Sequence, residues 1–580
     1  MKKVFRTFNE LLNKKQKVKL IFLLVMMIIG AILETLGVTM IIPIITIVIQ
    51  PDFAEKNSYV QSFTQFIGIN TTKELLIVCI ICLILVFFVK DVFLIIQTYA
   101  QVGFVAQNRF ELQKRLLKSI FSEPYEYFLY AKSGEIFRSV YGDVVQAYTV
   151  LSNMLSLLSE LIVSFFLSVT ILIVNPTMTM LMVAVLVCVA VIIVVVVRPV
   201  ISKAGVENKV SAAMSNKWLL QGIAGMKEIK ISQKESFFLE KFDYYGEKIV
   251  RSEKISSTSQ NIPRMLIEMI CVNTLLIYMI IVINMENDII QLVPTLGAFA
   301  MAAVRLMPSA NRIVSTINST AYCMPALDNL LQSLKKTDIN AQTDYSIDKD
   351  HDKSTLKFVK NIELNNITFS YTENSKNIFV DAHMSIPAGK SVGIVGKSGS
   401  GKTTIVDIML GLLKPSRGDI LVDGISIFDV YAEWLNCIGY IPQNIYMLDD
   451  SIKNNVAFGV EPELIDEKRV KEVLEEANLL GFVNKLPEGI DTEIGERGVR
   501  ISGGQRQRIG IARALYHNPS ILIFDEATSA LDIETEAAIM EAVERLHGKK
   551  TLVIIAHRLQ TIENCDIVYR VTDEKIIRER

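Results

Sequence analysis

Nine residues carry the clearest chemical spacing in the chain: Gly396-Lys397-Ser398-Gly399-Ser400-Gly401-Lys402-Thr403-Thr404. They fit G-x-x-x-x-G-K-[ST] at every fixed position. Glycines at these points let backbone amides curl around phosphate oxygens. Lys402 would reach the β- and γ-phosphates, and the Thr403 hydroxyl would ligate Mg²⁺. A second anion-binding turn reads from Ile501-Ser502-Gly503-Gly504-Gln505, where Ser502 caps a helix start and the glycines admit a phosphate. Between them chemically stand Asp525 and Glu526, which end the apolar run Ile521–Phe524. Asp525 is placed to hold Mg²⁺ through water, and Glu526 to polarise an attacking water. Three weaker signals accompany these. Tyr371 could stack on a purine, Gln443 offers a neutral amide to metal or water, and His557 ends a strand where it could meet a γ-phosphate. A lone histidine at a strand end is usually structural, but the order of the motifs around His557 outweighs that reading.

The elements that must position these groups are legible around them. Lys390–Val395 is a short β-type run and Ile405–Leu410 has a helical apolar pattern. Strand, glycine loop and helix in that order aim the free N–H groups of the helix at one anion. A mere Gly/Ser turn before a core helix would not be followed by the partner motifs.

At 580 residues the chain is long enough for several domains. Hydrophobic residues make up 51% and the mean hydropathy is +0.36, with the apolar excess before about residue 320. A net charge of −1 gives no sign of nucleic acid binding. The C-x-x-C pair Cys79 and Cys82 lies inside an apolar run, so it reads as helix packing rather than metal or redox chemistry. Cys437 and Cys565 read as reduced cytosolic thiols. No cleavable signal peptide is expected, because the first apolar run is too long for one and has no small-residue cleavage site.

Six apolar spans are expected at about 18–49, 73–100, 152–174, 177–198, 265–284 and 291–318, each near the ~20 residues that cross hydrocarbon. Pro43 would kink the first. Lys2–Lys19 is basic with an apolar stripe and reads as a helix lying on the membrane surface, and Ser58–Ile69 as a short amphipathic helix outside. Lys and Arg concentrate in 1–19, 101–150 and 198–264, which places those segments, the N-terminus and the phosphate loop in the cytoplasm. The two long basic segments read as helical extensions of the spans. Their breaks near Glu123–Glu135 and Gly222–Glu228 read as turnarounds that dock on the ATPase domain. Ionisable residues inside spans, Glu34, Lys90, Asp91, Glu160, Glu268 and Arg305, should face the bundle interior or water. Lys90 and Arg305 suit a cavity for an anionic headgroup; the alternatives are a local carboxylate partner for Lys90 and snorkelling for Arg305.

Taken together, the motifs of the second half resemble those of an ATP-binding cassette (ABC) ATPase domain over about residues 360–580. The resemblance implies ATP and Mg²⁺ as ligands. It makes Tyr371 the adenine-stacking aromatic, Gly396–Thr404 the Walker A loop and Gln443 the Q-loop glutamine. Ser502, Gly503, Gly504 and Gln505 resemble the signature motif, with Ile501 where Leu is commoner. Asp525 and Glu526 resemble the Walker B pair, Asp532 the D-loop aspartate and His557 the switch histidine. Glu496-Arg497-Gly498 resembles a segment that meets the membrane domain. The implied fold is an α-helical six-span transmembrane domain (exporter fold) followed by an α/β P-loop ATPase domain. The expected boundaries are 1–320 for the membrane domain, 321–357 for a linker and 358–580 for the nucleotide-binding domain.

One Walker A and one signature per chain imply a half-transporter that pairs, most simply as a homodimer that hydrolyses ATP at both sites. The segments Ile32–Gly37, Ile41–Pro43 and Ala303–Ser309 resemble bacterial flippases of lipid-linked oligosaccharides. That subgroup implies an anionic lipid-linked substrate, membrane lipid as surroundings and the bacterial plasma (inner) membrane as location. The rival readings are a general exporter of drugs, lipids or peptides and an ATP-gated channel. No N-terminal peptidase domain is expected, which sets aside the peptidase-containing peptide exporters.

Overall fold

The structure is a computed structural model. It describes all residues except 1–5, 9–10, 41–43, 45–46, 49–70, 175, 286–291, 341–355, 357, 373–374, 496–497, 527–540, 542, 557–561 and 573. The expected outer helix Ser58–Ile69, the Pro43 kink, Glu496-Arg497, Asp532 and His557 therefore lie outside the described residues. The chain divides into two compact units. One holds residues 1–123 and 130–345, the other Pro124–Leu129 and Ser346–Arg580.

Among the described residues, six long helices build the first unit: α1 (Lys14–Thr39), α2 (Thr72–Phe121), α5 (Val144–Val174), α6 (Pro176–Ala224), α8 (Glu235–Met285) and α9 (Leu292–Asn340). They match the six expected spans in number and order. Among the described residues, α1, α2, α5 with the turn before it, and α6 are long and apolar enough to cross a membrane. At 50 residues α2 is roughly 75 Å long, well over twice the ~30 Å hydrocarbon core. The long helices therefore continue beyond any bilayer, as the basic segments predict. Exposed Ile80, Ile84, Phe88 and Ile95 on α2 and Val191, Val195 and Val196 on α6 form the apolar surface that lipid tolerates.

The turnarounds fall where glycine, proline and polar residues interrupt the apolar period. The first comprises α3 (Tyr125–Tyr130), α4 (Ser133–Phe137) and a π-helical turn, Arg138–Asp143, which leads into α5. The second is α7 (Met226–Ser232), closed by Gln233 in the left-handed region at φ 52°. Residues Pro124–Leu129 belong to the second unit, whereas α7 belongs to the first. On and beside α7, Ile223, Met226 and Ile231 are exposed.

Two expectations for the first unit change. Phe8 and Leu12 are buried within its core, with Phe8 edge-on to Tyr148 at 5.8 Å. That part of the N-terminal stripe is covered by protein helices rather than lying on lipid. The linker also starts later than 321, because α9 runs on to Asn340. Cys323, Leu327, Leu330 and Leu334 recur at helical spacing there and are buried.

The second unit has two sheets. Strands β1 (Asn361–Phe369), β2 (Phe379–Pro387), β4 (Arg417–Val422) and β5 (Ile425–Ser426) form an antiparallel sheet in the order β2-β1-β4-β5. The other sheet runs β10-β9-β3-β8-β7-β6. It contains β3 (Ser391–Gly396), β6 (Ile438–Ile441), β7 (Ile521–Asp525), β8 (Thr551–Ile555), β9 (Ile567–Thr572) and β10 (Lys575–Arg578). All its pairs are parallel except β9 with β10.

Parallel strands covered on both faces read as unbroken apolar runs, and β7 and β8 are buried at every position. Their side chains alternate between two cores. Ile521, Ile523, Val553 and Ile555 join the cluster that holds helix α10 (Lys402–Met409). Leu522, Phe524, Leu552 and Ile554 join the cluster that holds α15 (Gly503–Tyr516). The two phosphate-type turns seen in the sequence thus open helices on opposite faces of one sheet.

Candidate nucleotide-binding site

In open α/β sheets ligands bind beyond the carboxyl ends of the parallel strands. Here β3 ends at Gly396 and β7 at Asp525, and β6 leads through Pro442 to Gln443. The loop after β3 depends on its glycines. Gly401 has φ 102°, and a side chain there would come within 2.8 Å of Ile378. A Cβ on Gly396 would lie 2.6 Å from Ser400 Oγ. The loop closes through the Ser400 amide on the Lys397 carbonyl at 3.1 Å. Helix α10 begins at Lys402, so its first-turn amides are unspent and point out of the helix end.

Lys402 is 4% exposed, and its ammonium donates to the carbonyls of Gly396 (3.1 Å) and Lys397 (3.2 Å). It also lies 3.7 Å from Glu526 Oε1. Gln443 Nε2 donates to Glu526 Oε2 at 2.7 Å. Glu526 itself occupies the left-handed region at φ 49°, a conformation that costs of order 1 kcal/mol and persists only when surroundings hold it. Thus Lys402, Gln443 and Glu526 are brought together as expected from their types. Tyr371 follows β1. Its hydroxyl is 2.9 Å from Thr404 Oγ1, and its ring meets Phe369 edge-on at 5.3 Å. Tyr371 is 40% exposed.

Asp525 is 3% exposed. Its Oδ2 accepts from the Tyr440 hydroxyl at 3.2 Å, and its Oδ1 has no hydrogen-bond partner among the described residues. Burial raises the pKa of Asp525, the Tyr440 hydrogen bond opposes the rise and neighbouring Glu526 adds to it. Asp407, on α10, faces the same place. Burial and the Asp525 charge push it up to about 6. Tyr125, in the Pro124–Leu129 segment of this unit, is raised by burial and then by Asp407 and Tyr371.

These oxygens suit a hard divalent cation. Mg²⁺ takes one or two carboxylates plus substrate phosphates rather than a closed protein cage. Among the described residues no three His, Cys, Asp or Glu side chains form such a cage. The orphaned Oδ1 of buried Asp525, with the hydroxyl of Thr403 and the amide of Gln443, fits that donor set.

Ser502 caps α15 as its sequence suggests. Its Oγ accepts from the Gln505 amide at 3.2 Å, and its own amide donates to Gln505 Oε1 at 2.8 Å. This reciprocal box ties the Gln505 side chain to the helix start.

In the first unit Lys90 is 6% exposed and pairs with Asp91 at 3.0 Å, its ammonium 4.3 Å above the Phe87 ring. Of the two readings of Lys90, the geometry contains the local carboxylate partner. Arg305 lies on α9, its side chain outside the described residues. Glu160 pairs with Arg312 across α5 and α9 at 2.6 Å, and Glu268 is exposed on α8.

Sequence reasoning did not single out Tyr440, Asp407, Tyr125 or Arg312. Tyr440 stands three residues before Gln443, as Asp525 and Glu526 stand together on the neighbouring strand, and that was the available signal.

Comparison with known proteins bears on both units. A family model described as "ABC transporter transmembrane region" matches residues 20–301, and one described as "ABC transporter" matches 379–529. An ATP-dependent lipid A-core flippase of Escherichia coli (strain K12) is 36% identical over 312 residues, 51% of this chain and 53% of that protein. The flippase of the same name from Haemophilus influenzae (strain 86-028NP) is 34% identical over 58% of each chain. ABC transporter B family member 21 of Arabidopsis thaliana is 41% identical over 38% of this chain and 17% of its own. The chain thus spans about half the length of the flippases it matches. The solved structure of a bacterial Atm1-family ABC exporter with ATP bound superposes with a TM-score of 0.73 at 20% identity, covering 97% of this chain and 95% of the other. At that identity the likeness speaks for the fold.

Proposed function

The chain belongs to the ABC transporters, joining that family's transmembrane region to its ATP-binding domain, and on that premise we propose that it hydrolyses ATP to move a lipid across a membrane. The finer reading is an anionic lipid-linked oligosaccharide, a polyprenyl pyrophosphate glycolipid, flipped across a bacterial plasma membrane. The observation that carries the ATP-driven part is the convergence of Lys402, Gln443, Asp525 and Glu526 at the ends of parallel strands.

Mg²⁺ held by Thr403, Asp525 and Gln443 would neutralise charge on the phosphates. The chain's own groups do the rest. The Gly396–Thr404 amides and Lys402 seat the phosphates, in competition with Glu526 for the same ammonium. Thr403, Asp525 and Gln443 offer the oxygens that hold the cation. Glu526, tethered by Gln443, orients the attacking water and accepts its proton. Tyr371 stacks on the adenine. His557 is assigned to the γ-phosphate, and Asp532 to the contact between paired sites.

A second copy of the chain is the simplest partner. The helices of Lys402 and Ser502 lie on opposite faces of the sheet, so a signature turn from another copy suits each Walker A loop. Exposed Ile223, Met226 and Ile231 beside α7, and exposed Glu268 on α8, are surfaces such a partner would cover. One observation favours a broader lipid cargo. Asp91 neutralises Lys90, which leaves Arg305 to meet a pyrophosphate. Relatives named lipid A-core flippases support a lipid in either case.

The test is ATPase activity in lipid vesicles, with and without a polyprenyl pyrophosphate oligosaccharide, for wild type and Arg305→Ala. Stimulation of wild type alone supports the glycolipid reading. Stimulation of both proteins by other lipids, and by neither the glycolipid nor its analogues, replaces it with the broader one.

A further inference from the structure

β7 ends on Asp525 with Glu526 next, and the chain running from Tyr440 in β6 to Gln443 just beyond it donates to both. Parallel pairing sets Tyr440 beside Ile523 and Ile441 beside Phe524. The next residues along each strand are therefore Pro442-Gln443 and Asp525-Glu526. Tyr440 reaches diagonally to Asp525 Oδ2 at 3.2 Å, and Gln443 reaches Glu526 Oε2 at 2.7 Å. The segment Tyr440–Gln443 thus works as a clamp with one donor for each carboxylate. Gln443 is part of the expected machinery, whereas nothing in the motif reading gives Tyr440 a role.

We propose that Tyr440 is a positioning residue for the cation. By holding Oδ2 of Asp525 it turns the second oxygen, Oδ1, toward the metal. The inference rests on the reading of Asp525 as a metal-holding group. Two observations carry it. Asp525 is 3% exposed, so the carboxylate has little freedom or water to orient it otherwise. Its two oxygens are unequal, since Oδ2 has a donor and Oδ1 has no partner among the described residues. Partners of this outer kind fix a ligand's orientation and tune its basicity, and removing one costs roughly 10- to 100-fold in metal affinity or activity.

Tyr440→Phe removes the hydroxyl and keeps the ring. The experiment is Mn²⁺ binding by electron paramagnetic resonance, on the full chain in detergent with a non-hydrolysable ATP analogue. Wild type, Tyr440→Phe and Asp525→Asn are compared. Nucleotide affinity in EDTA and the thermal midpoint are measured on the same samples. The expected result is about a 10-fold weaker Mn²⁺ affinity for Tyr440→Phe, a larger loss for Asp525→Asn, and metal-free nucleotide affinity unchanged in Tyr440→Phe. Wild-type Mn²⁺ affinity in Tyr440→Phe, with loss in Asp525→Asn, overturns the role of Tyr440 and leaves the metal reading standing. Wild-type affinity in both variants overturns the metal reading and the clamp with it. Equal losses of Mn²⁺ and of metal-free nucleotide binding in Tyr440→Phe, with a lowered midpoint, make Tyr440 a structural prop and overturn the proposal.

Discussion

Charged residues are buried in both units, but they are treated differently. In and beside the long helices of the first unit, opposite charges stand together: Lys90 with Asp91, Glu160 with Arg312, Arg138 with Asp143. At the strand ends of the second unit like charges crowd instead. Among the described residues, Asp525, Glu526 and Asp407 converge near one close cation, Lys402, and Asp525 Oδ1 has no hydrogen-bond partner. A buried charge without a partner is costly. The Glu160–Arg312 pair ties α5 to α9, whereas a site with a surplus of negative groups and an orphaned oxygen suits a cation. The contrast also appears inside the second unit. Asp566 accepts from the Ser391 amide and hydroxyl, Lys390 and His547, and is fully supplied with donors.

The contrast can be broken most sharply at Glu526. Glu526→Gln should cut ATP turnover on the order of 10³-fold, with ATP binding retained, as read by steady-state hydrolysis beside nucleotide binding. Substantial residual turnover would remove Glu526 from the chemistry. Next comes Lys402→Ala, expected to weaken ATP binding at least roughly 100-fold, since a desolvated charge-assisted contact to phosphate is lost. Unchanged affinity would refute the phosphate cradle.

The paired charges of the membrane unit should instead affect stability, unequally. Arg312 is 62% exposed and Glu160 only 12%. Arg312→Ala strands a mostly buried carboxylate and should cost about 1–3 kcal/mol, seen as a lowered thermal midpoint in nanodiscs. Glu160→Gln should cost less, and the double variant should recover part of the loss. Equal costs for the two single variants would show that burial is not what makes the pair matter.

The smallest effect is expected at Asp566. Burial would raise its pKa, but the bonds from Ser391, His547 and Lys390 outweigh this and hold it well below the ordinary 3.8. A depressed carboxylate stabilises the fold above its unfolded value, and that contribution fades as pH falls through the folded one. Asp566→Asn should therefore cost about 1 kcal/mol near pH 7 after allowance for its solvent contact. Variant and wild type should draw together only as pH falls through that depressed folded value, with turnover at pH 7 little changed. A variant that loses turnover while its midpoint holds would erase the distinction between supplied and unsupplied carboxylates.

Much of this was readable residue by residue. The six long helices follow from apolar runs and their extensions from the basic segments. The phosphate loop follows from glycines and a lysine at fixed offsets between a strand and a helix. The Ser502 cap and its Gln505 partner are four residues of contiguous chain. What escaped involved residues distant along the chain. Tyr440 meets Asp525 across 85 positions and Glu160 meets Arg312 across 152. An apolar face such as the N-terminal stripe does not state whether lipid or protein covers it, and the structure buries Phe8 and Leu12 in protein. The polar residues from 335 onward read as linker, yet they continue the helix that buries Leu327, Leu330 and Leu334.

The sequence by itself determined what depends on local spacing: the phosphate turn, the helix periods, the caps and the order of the motifs. These are short-range consequences of backbone geometry and of where apolar side chains recur. Only the tertiary structure decided which carboxylate oxygen is held and which is left open, which membrane charges neutralise each other, and which face of the sheet each anion-binding helix covers. Those outcomes depend on strand register and helix packing, which bring together residues that no local pattern links.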